Sequence, residues 1–198
     1  PGTYAMSSFS NMLHAIYRAG GVNELGTLRE IKLFRNGKLK ASADLYEFMM
    51  DGNAPDEITL EEGDLIIVSP YKNFVDIDGS VKRPMAYELK EGETVRDLLD
   101  YAGGFAGDAY KSNIRVVRQN GAEYQVFTVE TPQYDEFVMM DGDLVTVGTM
   151  IDRYENKLEI KGAVYRPGIY QLGDEIKTVS QLIRKADGLK GDAFTNRA

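Results

Sequence analysis

The sequence predicts an α+β fold made of tandem copies of one unit, each a mixed sheet crossed by a single helix. Three observations predict it. Blocks of sequence recur at offsets of 83 and 84 residues. Each copy carries one apolar stripe at helical spacing, set among runs of strand-like alternation. Turn residues fall at corresponding places from copy to copy.

The repeats define the organisation. Gly79-Ser80-Val81-Lys82-Arg83-Pro84 recurs as Gly162-Ala163-Val164-Tyr165-Arg166-Pro167, an offset of 83. Thr94-Val95-Arg96-Asp97-Leu98-Leu99 recurs as Thr178-Val179-Ser180-Gln181-Leu182-Ile183, an offset of 84, so one residue enters near Gly173-Asp174-Glu175. Ala102-Gly103-Gly104-Phe105 recurs as Ala186-Asp187-Gly188-Leu189. An earlier copy shows as Pro1-Gly2-Thr3-Tyr4, Ala19-Gly20-Gly21, Arg35-Asn36-Gly37 and Glu62-Gly63-Asp64, the last matching Asp141-Gly142-Asp143. The expected domains are therefore 1–70, a unit lacking its first strand; 74–148, a complete unit; and 157–198, a unit cut off after its helix. The opening at Pro1 and the incomplete outer units read as a fragment.

Within the complete unit, 74–81 reads as a strand with apolar Val75, Ile77 and Val81. Arg83-Pro84 turns the chain, because proline fixes φ and cannot continue a ladder. Residues 87–89 return as a second strand. Thr94 opens a helix whose apolar positions Val95, Leu98, Leu99 and Ala102 form one face, with Asp97 placed to complete a capping box. The other copies offer Met12, Ala15, Ile16, Ala19 and Val179, Leu182, Ile183, Ala186. Gly21, Gly104 and Gly188 suit a left-handed helix terminus, and Asp187 stands where the other copies have a first glycine. Residues 113–119 and 123–129 form a hairpin around Asn120-Gly121, as Asn36-Gly37 does earlier. Asp141-Gly142-Asp143 turns into a last strand, 144–147. The order β-β-α-β-β-β is a β-grasp arrangement.

Composition excludes several chemistries. The 198 residues hold no Cys, no Trp and one His, but 20 Gly and 12 Tyr. Without Cys there are no disulfides, thiol nucleophiles or thiolate metal sites. The formal charge of −8 disfavours binding to nucleic-acid phosphates. No apolar run approaches the ~20 residues a membrane-spanning helix requires. No P-loop, Gly-x-Gly-x-x-Gly or nucleophile-elbow pattern occurs. The sequence predicts no enzyme, no catalytic or metal residues, no cofactor and no nucleic-acid partner.

The motif Gly-x-Val-x-x-Pro-Gly-x-Tyr-x-Leu (162–172), with Thr-Val-x-x-Leu-Leu and Ala-Gly-Gly-Phe (94–105), resembles the SLBB family, the soluble ligand-binding β-grasp domains. Met85 departs from it where the family usually has Gly, which bears on the turn there. The resemblance covers nearly the whole chain as tandem copies. Such arrays are most similar to outer-membrane polysaccharide export proteins, whose subunits assemble into a ring across the periplasm. The resemblance thus implies a noncatalytic periplasmic scaffold or ring-forming segment in capsule or exopolysaccharide translocation, associated with the outer membrane through the full-length protein. It implies a homo-oligomer, with a polysaccharide and an inner-membrane export protein as partners. The alternatives are a module binding a small ligand (a cobalamin-type molecule or an oligosaccharide) and, behind it, a segment of a DNA-uptake protein.

Individual residues favour plain roles. His14 occupies the helix position of Asp97 and reads as solvent-facing. The acidic run Asp51, Asp56, Glu57, Glu61, Glu62 and Asp64 reads as a solvated surface, since its spacing fits no Ca²⁺ loop. Tyr87, Tyr110, Tyr165 and Tyr170, with Arg83, Arg115 and Arg166, have the chemistry of a sugar-binding surface. Tyr87 and Tyr170 recur at one position, which favours packing over the Pro turn, so no saccharide contact is assigned.

Overall fold

The computed structural model describes residues 1–52 and 58–194. The chain divides into two compact units, Pro1–Met150 and Ile151–Ala198. In chain order the first holds α1 (Met12–Arg18), β1 (Gly26–Arg35), β2 (Lys38–Ala43), α2 (Leu45–Asp51), β3 (Leu65–Pro70), β4 (Phe74–Gly79), β5 (Met85–Glu88), α3 (Val95–Tyr101), β6 (Asn113–Asn120), β7 (Glu123–Glu130) and β8 (Leu144–Val147). The second holds β9 (Lys157–Ile160), β10 (Gly168–Gln171) and α4 (Val179–Lys185). The fold is α+β with mixed sheets.

The complete copy forms a five-stranded sheet in the order β5-β4-β8-β6-β7, with β4 and β8 parallel and the other neighbours antiparallel. The β4–β5 hairpin feeds α3, whose Val95, Leu98, Leu99 and Ala102 are all at most 2% exposed. They pack with Val75, Ile77, Ile114, Val116, Val129 and Val145 in one core. This is the crossing helix that the apolar spacing predicts. Thr94 and Asp97 form the expected capping box, as do Thr178 and Gln181 at α4. Gly103, Gly104, Gly188 and Asp187 all take positive φ at the helix ends. Asp187 tolerates this because a short polar side chain is the next best fit after glycine.

The preceding copy forms a three-stranded sheet, β2-β1-β3. It corresponds strand for strand to β7-β6-β8. Lys32 pairs with Ile67 as Arg115 pairs with Thr146, and Leu33 with Ile66 as Val116 with Val145.

Four details differ from the sequence reading. The strand from Phe74 ends at Gly79, where φ of +87° breaks the ladder, and Val81 forms an isolated bridge to Phe105. The return strand is Met85–Glu88 rather than 87–89. The second hairpin turn lies at Gly121-Ala122, with Asn120 paired to Glu123. At Asn36-Gly37 both turn residues have positive φ, whereas Ala122 does not, so this turn moves to a frame in which only Gly121 does. Finally, α2 follows β2 where the β-β-α-β-β-β order placed no helix; the same connection in the complete copy is the 3₁₀ turn Thr131–Gln133.

Gly79 carries two constraints. Its φ is positive, and a Cβ there would overlap the Val147 carbonyl oxygen of β8. Gly92 has nearly the same φ, +88°, but open space around it. Gly92→Ala is expected to cost about 1 kcal/mol from backbone strain alone. Gly79→Ala is expected to cost at least about 3 kcal/mol, because β4 must also move away from β8. Urea denaturation of the two variants side by side measures the difference, and equal losses would show that the β4–β8 approach is not tight.

Candidate functional site

The most highly organised polar cluster joins the first two copies. It is built around Arg29 on β1, which is 7% exposed. Strand alternation places Thr27, Arg29, Ile31 and Leu33 on the inward face, so the guanidinium occupies a position otherwise held by an apolar side chain. Its Nε donates to both Asp44 oxygens at 3.2 and 3.1 Å. Nη1 donates to the Glu88 carbonyl at 2.9 Å and to Glu93 Oε2 at 3.1 Å. Nη2 donates to Glu93 Oε1 at 2.8 Å and to the Tyr101 hydroxyl at 3.0 Å. All five guanidinium N–H groups are thereby used.

Both copies contribute. Asp44 caps the N-terminus of α2 by accepting from the Tyr46 amide at 2.8 Å. Tyr46 then crosses into the core of the complete copy, where its ring meets Tyr101 edge-on at 5.3 Å. The guanidinium lies 4.5 Å from the Tyr46 ring centre and 5.0 Å from that of Tyr101. From the other side, Glu88 is 4% exposed and inserts its carboxylate toward β1. It accepts from the Thr27 hydroxyl at 2.5 Å and the Leu28 amide at 2.6 Å. Lys90 reaches back to Asp44 at 2.5 Å. A buried Arg with two carboxylates and full hydrogen bonding tolerates its desolvation; removing one member strands the rest.

Burial works against the charged form of Asp44, yet the Lys90 ammonium, the Tyr46 amide and Arg29 outweigh it and hold the carboxyl below its ordinary range. Burial and the Glu93 carboxylate push the Tyr101 phenol well above its ordinary value, so it remains a donor. Because the Asp44 value is depressed in the folded state, its contribution is present above the ordinary carboxylate range. That contribution is lost as pH falls through the folded value. Arg29→Met is expected to destabilise Pro1–Met150 by about 3 kcal/mol, by leaving Glu93 without its cation and Asp44 with Lys90 alone. Asp44→Asn is expected to flatten the acid limb of stability below about pH 4, the ordinary carboxylate value. Chemical denaturation of both variants between pH 7 and pH 3 tests this; an unchanged acid limb in Asp44→Asn would exclude Asp44 as its source.

A second device repeats in both copies. Arg35 pairs with Asp64 through Nε and Nη2, each at 2.8 Å, and Arg118 pairs with Asp143 at 2.8 and 2.7 Å. Each arginine also donates to a backbone carbonyl, Thr59 or Val138, at 2.9 Å. Each aspartate closes its turn by accepting a backbone amide, from Glu61 or Met140. The recurring Glu-Gly-Asp and Asp-Gly-Asp turns are thus clamps that tie the end of β1 to the turn entering β3 and the end of β6 to the turn entering β8. Among the described residues no group of His, Asp and Glu is arranged to hold a metal ion. Asp56 and Glu57 of the acidic run lie outside the described residues, while Glu61 reaches Arg35.

The residues with sugar-binding chemistry do not form one surface in Pro1–Met150. Tyr87 is 2% exposed and donates to the Arg83 carbonyl at 2.9 Å. Arg83 donates to the Tyr101 carbonyl at 2.8 Å, and Arg115 projects from the opposite, solvent-facing side of the sheet. Tyr110 is exposed at the junction of loop and strand β6. In Ile151–Ala198, Tyr170 repeats the Tyr87 bond, donating to the Arg166 carbonyl at 2.6 Å, while Tyr165 is exposed and Arg166 pairs with Asp187 at 2.5 Å. The Tyr of the repeat packs over the Pro turn. His14 is exposed and also works locally: its Nδ1 accepts from the Asn11 amide while Asn11 accepts from the His14 amide, the capping box of α1.

Sequence reasoning missed Arg29, Asp44, Glu88 and Glu93. The signal for Arg29 was a charge on the apolar phase of a strand. The Arg35–Asp64 and Arg118–Asp143 pairs were detectable as two residue types recurring together.

Residues 1–41 and 74–127 match the SLBB domain. Two curated sequences, both named polysialic acid transport protein KpsD of Escherichia coli, are 24% identical to this chain over 163 residues. The alignment covers 81% of this chain and 28% of the relative's length. Two separate segments of the chain are thus similar to the SLBB domain, and the chain is similar to part of a polysaccharide transport protein.

Proposed function

We propose that the chain is a noncatalytic segment of a polysaccharide export protein, acting in the periplasm as a scaffold that helps form a ring for capsule or exopolysaccharide translocation. The observation that carries this reading is the Arg29 junction, which fixes two SLBB copies as one body. Fixed copies present equivalent faces at a set spacing, and that is what a subunit needs to meet identical neighbours repeatedly. An enzyme would instead concentrate its buried polar groups around a cavity open to substrate. The buried polar groups of the junction are consumed by one another. The similarity to the polysialic acid transport protein supports an anionic polysaccharide as cargo, moved past the scaffold rather than held in a pocket. The formal charge of −8 fits that role, because like charge limits adhesion of the polymer.

The test is genetic. In the organism that makes the full-length protein, Arg29→Met in this segment is expected to lower surface polysaccharide several-fold, with polymer accumulating inside the outer membrane. Antibody or lectin staining of whole and permeabilised cells reads both pools. Wild-type surface polymer with a destabilised junction would overturn the proposal.

A further inference from the structure

We infer that β7 pairs with β7 of a second copy of this chain, antiparallel about a two-fold axis at Val126. The sheet of the complete copy has one end available for such pairing. Its β5 end is taken by the preceding copy: the Glu88 carboxylate accepts from Thr27 and Leu28, and the Glu88 amide donates to the Tyr46 hydroxyl at 2.9 Å. At the other end β7 pairs with β6 alone. Asn120 and Glu123 close the two-residue turn, and the ladder runs unbroken from there to Asn113 and Glu130. In an antiparallel ladder closed this way, alternate residues bond the neighbouring strand. Glu123, Gln125, Phe127 and Val129 therefore bond β6. The amides and carbonyls of Tyr124, Val126, Thr128 and Glu130 point away from it.

The free set is bounded on both sides. The Glu130 amide donates to the Gln133 side chain at 3.0 Å, and the Thr131 amide turns back to the Ser112 carbonyl at 3.1 Å. This leaves Tyr124, Val126 and Thr128, a set symmetric about Val126. Antiparallel strands pair through residues whose bonding groups face each other. A second β7 therefore fits with Val126 opposite Val126 and Tyr124 opposite Thr128. In that register Glu123 stands opposite Val129 and Glu130 opposite Ala122, so no like charges meet. On the solvent-facing side of the sheet, Val126 is opposite Val117, and Val117 is opposite Leu144. Val126 is 61% exposed and Leu144 is 46% exposed. The two-fold joins this apolar row to its own image, and the two Val126 side chains cover each other.

The same edge of the preceding copy is built differently. β2 holds the place of β7, but it carries exposed Lys38 and Lys40 and faces a bulge in β1. Natural sheets use lysines and bulges to discourage strand addition. β7 has neither, and its Tyr124 is 73% exposed. β2 also shows that the copy next in the chain does not cover this edge of the repeat. One edge of the repeat is thus defended in one copy and open in the other. An isologous pair closes on itself, so it is a different contact from the head-to-tail one that a ring uses. The inference stands apart from the export reading, and its failure would leave that reading untouched.

The chain contains no Cys, so one introduced cysteine reports the geometry. Opposed Cα atoms of a bonded antiparallel pair lie about 5.5 Å apart, within the span of a disulfide. Val126→Cys in the whole chain is expected to give a disulfide-linked dimer on mild oxidation. Thr128→Cys is expected to give none, because Thr128 faces Tyr124 and the two cysteines would lie about 13 Å apart. Without oxidation, sedimentation of the whole chain is expected to show a monomer–dimer equilibrium. Val126→Lys is expected to weaken it by about tenfold or more, with an unchanged circular dichroism spectrum. A chain that stays monomeric up to its solubility limit, equal cross-linking at the two positions, or a dimer untouched by Val126→Lys would overturn the inference.

Discussion

One guanidinium holds the first two copies together. Arg29 sits on the inward phase of β1, where solvent is excluded, and its charge requires partners from both sides of the junction. Asp44 and Glu93 supply charge, while the Glu88 carbonyl and the Tyr101 hydroxyl supply the remaining acceptors. The two tyrosine rings close around it. Such a cluster specifies geometry more than it adds net stability, because ion pairing is largely offset by desolvation. A sliding or rotated junction would break several charge-assisted bonds at once, so two units of one repeat behave as a single body.

The rest of the first unit follows from this constraint. Helix α2 has no full counterpart in the complete copy, and its two N-terminal residues explain its presence: Asp44 binds Arg29, and Tyr46 plugs the neighbouring core. Glu88 ends β5 with a carboxylate turned into the junction, so a hairpin of one copy terminates on a strand of the other. The Arg35–Asp64 and Arg118–Asp143 clamps operate within each copy and are indifferent to the junction. Chemistry that repeats thus maintains the unit, and chemistry that does not repeat sets how units are joined. That division suits a scaffold, whose specificity lies in placement rather than in a pocket.

Much of the unit was legible in the sequence because its signals are local. The spacing of Val95, Leu98, Leu99 and Ala102 defines a helix face, Thr94 and Asp97 its start, and Gly103-Gly104 its end. Pro84 and Tyr87 mark a hairpin because the tyrosine hydroxyl returns to the carbonyl just before the proline. Local signals were weaker where two neighbouring frames compete, as at Asn120-Gly121, where the conformational limit of Ala122 decided the turn. The junction was not legible, since Arg29 and Glu93 lie far apart in sequence and neither occurs in a motif.

By itself the sequence determined the repeat, the crossing helix with its caps and the order of the strands around it in the complete copy, and the absence of thiol chemistry. These depend on backbone preferences and on periodicity, which act over a few residues. Only the tertiary structure decided which charges are buried together and that Tyr87 is enclosed rather than offered to a ligand. Burial and strand pairing depend on residues brought together from distant parts of the chain, and no local pattern encodes that proximity.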